Sequence, residues 1–465
     1  MKHDRRNFLK TTAAIGLASV MPSYLVHAQN GKPPVSERIR TGCVGLGPQG
    51  NGNAHGFNGI SDITALCDVD SVYGLQRALN GKIGRREGDK YFQPDTYKDY
   101  RRILDRGDID MVSIGTPDHW HTKIAVEAMQ AGKHVFCEKP LTLTLQENEL
   151  VRKACAKYGK VFQVGTMQRA MKNQFATAAL MVRKGVLGEI QRVTCITDGG
   201  RESPVIAPAP VPESLDWEMW QGQAPVQEFL AGGGPNRFDP LKIAPQYSRH
   251  HLTFRWWFEY SGGKITDWGA HHVDCALWIL DRQTPDKMPI SYHLEEAAFN
   301  VDLRDGMPVQ TDLYNTPVRF RISMKFADGP DFIVTSRAKD GNGILIEGTK
   351  GRIHVNRARI AGKPYESGEW KELITEDDYT ALYHGKPFEG HKTNFLRCIR
   401  EGGKPVSNAV ENTYSMEICH LCNLACRLKR DIQWDTQTGR IVGDELAASF
   451  FSREQRKGYE LPKVD

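Results

Sequence analysis

Hydrophobic and polar positions keep one rhythm up to about residue 164 and another from residue 318. In the first stretch, short apolar runs at 39–44, 62–67, 110–114, 134–137 and 161–164 alternate with helical periods. Those helical stretches include 123–131, stopped by Gly132, and 145–158. Buried strands separated by helices predict a parallel sheet covered on both faces. A helix at 173–184, closed by Gly185, and a strand at 190–197 follow. In the second stretch Val318, Phe320, Ile322, Met324 and Phe326 alternate with Arg319, Arg321, Ser323 and Lys325, giving one buried and one polar face. Asp328-Gly329 turns that strand into 331–335, and 343–347 with 352–356 makes a further hairpin. The expectation is an open, mostly antiparallel sheet whose apolar face needs cover from its own helices or from a second subunit. Helices at 391–400 and 411–430 close the pattern. Another, starting at Thr266 or Asp267 and running through 275–280, places Asp267 and His271 four apart on one face.

Residues 198–262 keep neither rhythm. They hold eight prolines between Pro204 and Pro245, the run Gly232-Gly233-Gly234, and Trp217, Trp220, Trp256 and Trp257. A loop this long in a compact protein is functional or disordered, and the aromatic content argues against disorder. Each tryptophan either stacks on the apolar side of a sugar ring or anchors an extended arm.

The first apolar run breaks into Gly45-Leu46-Gly47-Pro48-Gln49-Gly50, a G-x-G-x-x-G turn. Its first glycine permits a tight turn, its second lets backbone approach a pyrophosphate, and its third lets the next helix pack close. The helix N-terminus then holds the phosphates. The second strand ends on Asp68, at the spacing of a carboxylate that binds the adenosine ribose hydroxyls. Such a carboxylate repels a 2′-phosphate and favours NAD; Arg77, Lys82, Arg85 and Arg86 downstream keep NADP possible.

Composition adds little to this picture except at the N-terminus. Hydrophobic content of 40% and charged content of 25% are ordinary for a soluble globular chain. Of the net charge of +5, residues 1–28 contribute +3, from Lys2, Arg5, Arg6 and Lys10 against Asp4, which leaves no basic field for nucleic acid. Arg5-Arg6-Asn7-Phe8-Leu9-Lys10, the apolar run 11–26 and Val26-His27-Ala28 read as a twin-arginine export signal over 1–28, which implies a periplasmic protein. A linker over 29–37 follows, and no later run is long enough to span a bilayer. Ten cysteines show no disulfide rhythm. Cys419, Cys422 and Cys426, with His420 beside them, read as an apolar helix face, so no metal is expected. The domain reading is 38–164 for the cofactor sheet, 165–430 for a substrate and oligomerisation domain with the loop 198–262, and 431–465 for a tail wrapping over the body.

Ligands of a parallel sheet bind beyond the carboxyl ends of its strands. That edge carries Thr116, Pro117 and His121 after the third strand, and Glu138 and Lys139 after the fourth. An imidazole at His271 suits general-base work near neutral pH, with Asp267 fixing its tautomer. A cationic Lys139 would stabilise an alkoxide developing beside a nicotinamide.

The glycine turn, Thr116-Pro117 with His121, Glu138-Lys139-Pro140 and Asp267-x-Gly269-x-His271-x-x-Asp274 together resemble the Gfo/Idh/MocA oxidoreductase family over nearly the whole chain from Ile39. Asp216-Trp217-Glu218-Met219-Trp220, Trp434-Asp435 and the twin-arginine leader resemble its exported branch. The resemblance implies an α/β protein: an N-terminal Rossmann domain and a C-terminal α/β domain with an open, mostly antiparallel sheet. It makes Lys139 and His271 the catalytic pair with Asp267 assisting, and puts Glu138 against the nicotinamide-side ribose. Arg169, Trp256, Trp257 and His272 are the candidates for substrate contact.

An exported protein meets no free nicotinamide pool, so an exchangeable NAD fits poorly. The leading expectation is hydride transfer between a sugar or glycoside secondary hydroxyl and a tightly bound NAD, in a homodimer or homotetramer. The alternative is a redox-neutral glycosidase that oxidises at C3, eliminates and reduces back; such relatives often replace the Glu-Lys-Pro tripeptide that this chain keeps. A non-catalytic NAD-binding sensor is the third.

Overall fold

The structure, a computed structural model, describes residues 38–87, 90–239 and 241–465. The export signal expected over 1–28 and the linker over 29–37 lie outside those residues.

The N-terminal sheet is built from β1 (Arg40–Val44), β2 (Asp62–Cys67), β3 (Asp95–Tyr97), β4 (Met111–Ile114), β5 (His134–Cys137) and β6 (Phe162–Val164), with every neighbouring pair parallel. Their spatial order is β3-β2-β1-β4-β5-β6, so the order reverses between β1 and β4. Parallel strands need crossover connections, and here α1 (Pro48–Asn58), α2 (Asp118–Gln130) and α3 (Leu145–Tyr158) supply three of them. The glycine at the C-terminus of α3, Gly159, has φ of +58°, which a Cβ would disfavour. Strand positions are buried on both faces, as the near-continuous apolar runs required.

After α4 (Thr177–Arg183), the second sheet begins with β7 (Ile190–Ile196). It continues, beyond α5 (Gly263–Asp267) and α6 (Gly269–Leu280), with β8 (Pro289–Ala298), β9 (Arg319–Phe326), β10 (Asp331–Thr335), β11 (Gly343–Gly348), β12 (Gly351–Val355) and β13 (Ile360–Ala361). Two helices, α7 (His391–Glu401) and α8 (Ala409–Leu428), precede its last strands, β14 (Ile432–Asp435) and β15 (Arg440–Val442). The nine strands lie in the order β13-β12-β11-β7-β10-β9-β8-β14-β15, and only β7 and β10 pair in parallel. The chain is therefore α/β, a doubly wound parallel sheet joined to an open, mostly antiparallel one.

The antiparallel sheet's apolar face is covered by its own helices. Phe320, Ile322 and Met324 of β9 are buried in one core with Cys275 and Ile279 of α6 and Cys422 and Cys426 of α8. The Cys422 Sγ lies 3.9 Å from Met324 Sδ. The opposite face is charged, with Arg321 paired to Glu295 and Arg337 to Glu296 across it.

Two local expectations are corrected. The helix through 266–280 is interrupted: Asp267 ends α5, Trp268 is the joint, and His271 sits in the first turn of α6. The tail also begins inside the fold, because β14 and β15 extend the second sheet before the chain crosses the N-terminal domain. There Lys123 Nζ donates to Glu460 O at 2.8 Å and Gln130 Nε2 to Lys463 O at 3.1 Å.

The described residues of segment 198–262 form an arm with its own small core of Ile206, Trp220, Phe229, Trp256, Trp257 and Tyr260. It crosses to the N-terminal domain by backbone bonds, Ser71 N to Ser214 O (3.0 Å) and Asp216 N to Val69 O (2.9 Å). His251 clamps it further, its ring stacked on Tyr73 at 4.1 Å and its Nε2 3.0 Å from Asp70 Oδ2.

Candidate active site

A cavity of about 370 Å³ opens at the carboxyl ends of β1, β2, β4 and β5, where the strand order reverses. Ligands of doubly wound sheets bind at this place. The turn after β1 forms one wall, with Gly45, Gly47, Pro48 and Gln49 lining it. At Gly45, φ is +77° and a Cβ would stand 2.5 Å from Thr116 N, so the turn and the neighbouring strand end meet only through glycine. A Cβ on Gly50 would be 1.9 Å from Gly45 O; this glycine sets the close approach of α1 and is not itself in the lining. Gly47 differs. A Cβ there would meet no protein atom closer than Tyr73, at 4.0 Å, so the space in front of it belongs to the cavity.

Asp68 ends β2 at the cavity wall, its Oδ2 accepting from Leu46 N (2.6 Å) and its Oδ1 from Asp70 N (2.8 Å). Burial raises its pKa, and those two bonds work against the rise. Thr116 and Pro117 line the opposite side, and Thr116 Oγ1 is buried without a partner in the protein. Glu138 is held by Gln49 Nε2 at 3.0 Å and Asn53 Nδ2 at 2.8 Å, which ties the strand end to α1. A glycine backbone facing open space, a carboxylate at the second strand end and an unpaired buried hydroxyl fit a dinucleotide, with Asp68 toward ribose hydroxyls and the α1 N-terminus toward phosphate. Replacing Gly47 by valine is expected to preserve the fold and weaken NAD binding roughly tenfold or more, measured by fluorescence titration.

Lys139 follows Glu138 at a cis Lys139–Pro140 bond and reaches into the same cavity. Its Nζ donates to Asp267 Oδ1 at 2.5 Å and to Asp267 O at 3.2 Å. Arg255, from the arm, stands 3.4 Å from Asp267 Oδ2. Burial opposes the charge of Asp267, but Lys139 and Arg255 outweigh it and hold this carboxylate well below the usual range. The pair is thus an ammonium and a carboxylate, fixed against each other at the edge of the cavity.

Other expected residues fall elsewhere. His271 is buried and is not among the residues lining the cavity; its Nδ1 is unpartnered, and the charges of Lys139 and Asp267 both act on it. Burial first, then Lys139 and Arg357, push its pKa well down, so the imidazole is neutral. Asp267 therefore orients Lys139 and not His271. His121 braces the two strand-end turns, with Nδ1 2.7 Å from Pro140 O and Nε2 2.9 Å from Thr116 O, and does not line the cavity.

The four residues nominated for substrate contact are all withdrawn from the cavity. Arg169 is fully buried, giving Nε and Nη2 to Asp274 (2.8 and 2.7 Å) and Nη1 to Glu411 (2.7 Å). Asp274, the last member of the Asp–Gly–His–Asp pattern, thereby serves packing between helices. His272 is pinned through Nδ1 to Ile196 O at 3.0 Å. Trp257 has no exposed surface and donates Nε1 to Ser248 O at 2.8 Å, and Trp256 packs in the same arm core.

In their place the arm presents Met219, Trp220, His251, Leu252, Phe254 and Arg255 to the cavity, and α2 presents Asp118 and Trp120. Trp120 Nε1 and His119 Nε2 both meet Trp220 O, at 3.0 and 2.9 Å, so the arm is fastened to α2 beside the site. Asp118 is one place beyond Pro117. It stands at the same carboxyl edge of the sheet as Thr116 and Glu138.

This fold and site define an NAD-binding oxidoreductase. Two family models cover most of the chain: an oxidoreductase-family NAD-binding Rossmann fold over 39–166 and an oxidoreductase-family C-terminal alpha/beta domain over 199–461. The chain belongs to the Gfo/Idh/MocA oxidoreductase family. A sequence relative, Glycosyl hydrolase family 109 protein 2 of Shewanella sp. (strain ANA-3), is 34% identical over 212 residues, 40% of this chain and 44% of the relative. The chain thus matches less than half the length of that curated relative. Among solved structures, the WlbA dehydrogenase from Bordetella pertussis, in complex with NADH and UDP-GlcNAcA, has a TM-score of 0.57 at 18% identity, covering 87% of this chain and 99% of that one. The aldose-aldose oxidoreductase from Caulobacter crescentus, complexed with glycerol, has a TM-score of 0.54 at 18% identity, covering 85% and 100%. At these identities the structural likeness speaks for the fold. No helix among the described residues is long and apolar enough to cross a membrane.

Proposed function

We propose that this protein transfers hydride between a secondary hydroxyl of a sugar or glycoside and an NAD that stays bound through the cycle. The observation that carries the reading is the Lys139–Asp267 pair at the edge of a cavity walled by the glycine turn. The dinucleotide, when bound, supplies the hydride acceptor. The chain supplies the rest. Gly45, Gly47 and Asp68 fix where a nucleotide lies, Lys139 meets charge developing on the substrate oxygen, and Asp267 holds that amine in place. Trp220, Phe254 and Met219 from the arm give an apolar cover that excludes water and suits the carbon face of a sugar ring.

Retention of the cofactor is supported by the arm, which spans from the second sheet to Tyr73 and Asp70 across the cavity. It would suit a periplasmic location, proposed here with the bound cofactor, and a reset of the nicotinamide by a second sugar or carbonyl. The glycosyl hydrolase relative favours a second reading, oxidation at C3 followed by elimination, hydration and reduction. The retained Glu138-Lys139-Pro140 tripeptide favours the first.

The test is a panel of sugars and p-nitrophenyl glycosides added to protein purified with its nucleotide. Stoichiometric growth of the reduced-nicotinamide band supports oxidoreduction. Release of p-nitrophenol without net reduction supports the glycosidase. Silence in both, for protein shown to hold NAD, would leave a sensor.

A further inference from the structure

A second, smaller cavity of about 40 Å³ lies where four segments meet: the start of α3, the end of the arm, α8 and the tail. Thr144, Leu145, Phe258, Asn423, Arg427 and Arg453 are in its lining, which shares no residue with the first cavity. Arg427 is only 2% exposed, yet its Nε and Nη2 have no hydrogen-bond partner among the described residues. Its Nη1 alone is used, donating to Asn315 O at 3.3 Å. Arg453 Nη1 donates to Phe258 O. Both guanidiniums stack on the Phe258 ring, 3.4 Å (Arg427) and 3.7 Å (Arg453) from its centroid.

Two cations gathered on one ring need a counter-charge, and among the described residues no carboxylate is bonded to either. The acids whose charge reaches them are committed elsewhere. Glu259 accepts from Arg249 Nη1 at 2.8 Å and from Asn315 Nδ2 at 3.0 Å. Glu147 accepts from Leu143 N at 2.7 Å and Thr122 Oγ1 at 2.8 Å, and burial pushes its carboxyl up to about 7. Burial first, then the charge of Arg453, brings Arg427 down to about 9, and burial brings Arg453 down to about 10. Both are therefore cations at neutral pH. His420, also in the lining, is pulled down to about 3 by burial and then by Arg453, so it is neutral. The positive end of α3 adds a field of the same sign. Water could satisfy the orphaned N–H groups, but it would leave the buried charge unpaired.

We propose that this cavity is a binding site for a compact monovalent anion, a halide or a small carboxylate, held against Arg427 Nε and Nη2. A space of this size takes about three waters, or one such ion with a water beside it. Asn423 Oδ1, also unpartnered, accepts from that water. The ion would tie the end of the arm to α3, α8 and the tail; Gly262, in the lining, leads directly into α5 and so to Asp267. The site stands apart from the proposed chemistry, and its test needs no turnover.

The full-length protein with its nucleotide is dialysed into gluconate, whose anion is too large for the cavity. Chloride, bromide or formate then replaces gluconate at constant ionic strength while the melting temperature is followed. A saturable rise of at least about 2 °C is expected. A response to the halides assigns a halide site, and a response to formate alone assigns a carboxylate site; either supports the proposal. Arg427→Met should melt at the same temperature in every salt. Should that variant not fold, crystals grown in bromide decide the matter, with an anomalous peak expected beside Arg427 Nε and Nη2. Melting that is the same in chloride, bromide, formate and gluconate, or ordered water alone at that position, would overturn the proposal.

Discussion

Replacing Lys139 with methionine is expected to cut sugar-dependent reduction of the bound NAD by about 10²–10³-fold, the cost of removing a preorganised charge from a developing oxyanion. NAD itself should still bind, because the glycine turn and Asp68 are untouched. Asp267 loses its closest partner, keeping only Arg255 at 3.4 Å, so its pKa should rise from its depressed position. A depressed folded pKa stabilises the fold above the unfolded value and loses that contribution as pH falls through the folded one. The methionine variant should therefore be destabilised most near neutral pH, with the gap to wild type narrowing as pH falls below about 5, because only the wild type has the Asp267-linked stabilisation to lose. Single-turnover absorbance gives the rate, and thermal melts between pH 3 and 7 give the stability. Lys139→Arg, which keeps the charge, should recover stability at neutral pH more fully than activity, since a planar guanidinium cannot reproduce the geometry of the ammonium.

Replacing Arg169 with methionine should destabilise the protein by about 3–5 kcal/mol, because it leaves Asp274 and Glu411 as buried acids without their cation. Asp274 keeps bonds from Asn412 and Ser415, each at 3.2 Å, and Glu411 keeps Lys404 at 2.5 Å. None of these is a buried guanidinium with two parallel bonds. Burial works against the charge of Glu411, but Arg169 and Lys404 overcome it and hold the carboxyl down at about 2. The stabilisation linked to Glu411 is present above its ordinary pKa and lost as pH falls toward 2. The gap between wild type and variant in urea unfolding should therefore narrow between about pH 5 and 2. A substrate-contacting arginine would behave otherwise, raising the Michaelis constant with little change in stability.

The parallel sheet was readable because buried strands bounded by turn residues are a local signal, and the Gly45–Gly50 turn with Asp68 supplied its register. The paired faces of β9 were readable for the same reason. Less local features were not. Whether Asp267 and His271 share a face depends on the helix remaining unbroken at Trp268, and no period in the flanking residues announces that joint. Arg169 looked like a site residue because its partners lie 105 and 242 positions away, beyond any window. The tryptophans of the arm showed that 198–262 would be ordered, but hydrophobicity cannot rank them: Trp257 and Trp256 fill the arm's own core, whereas Trp220 also faces the cavity. Asp118 directly follows Pro117, and nothing in the local sequence separates it from an ordinary charge at a helix start. Only its burial beside Lys139 and Asp267 distinguishes it.

The most direct test of the account uses the protein with its own NAD in place. It compares the reduced-nicotinamide band before and after an excess of a sugar or glycoside, in wild type and in Lys139→Met. The account predicts a band that grows to one reduced cofactor per chain in the wild type and is absent on the same timescale in the variant. Equal reduction in both proteins would show that the Lys139–Asp267 pair is not where the hydroxyl is activated, and would contradict it.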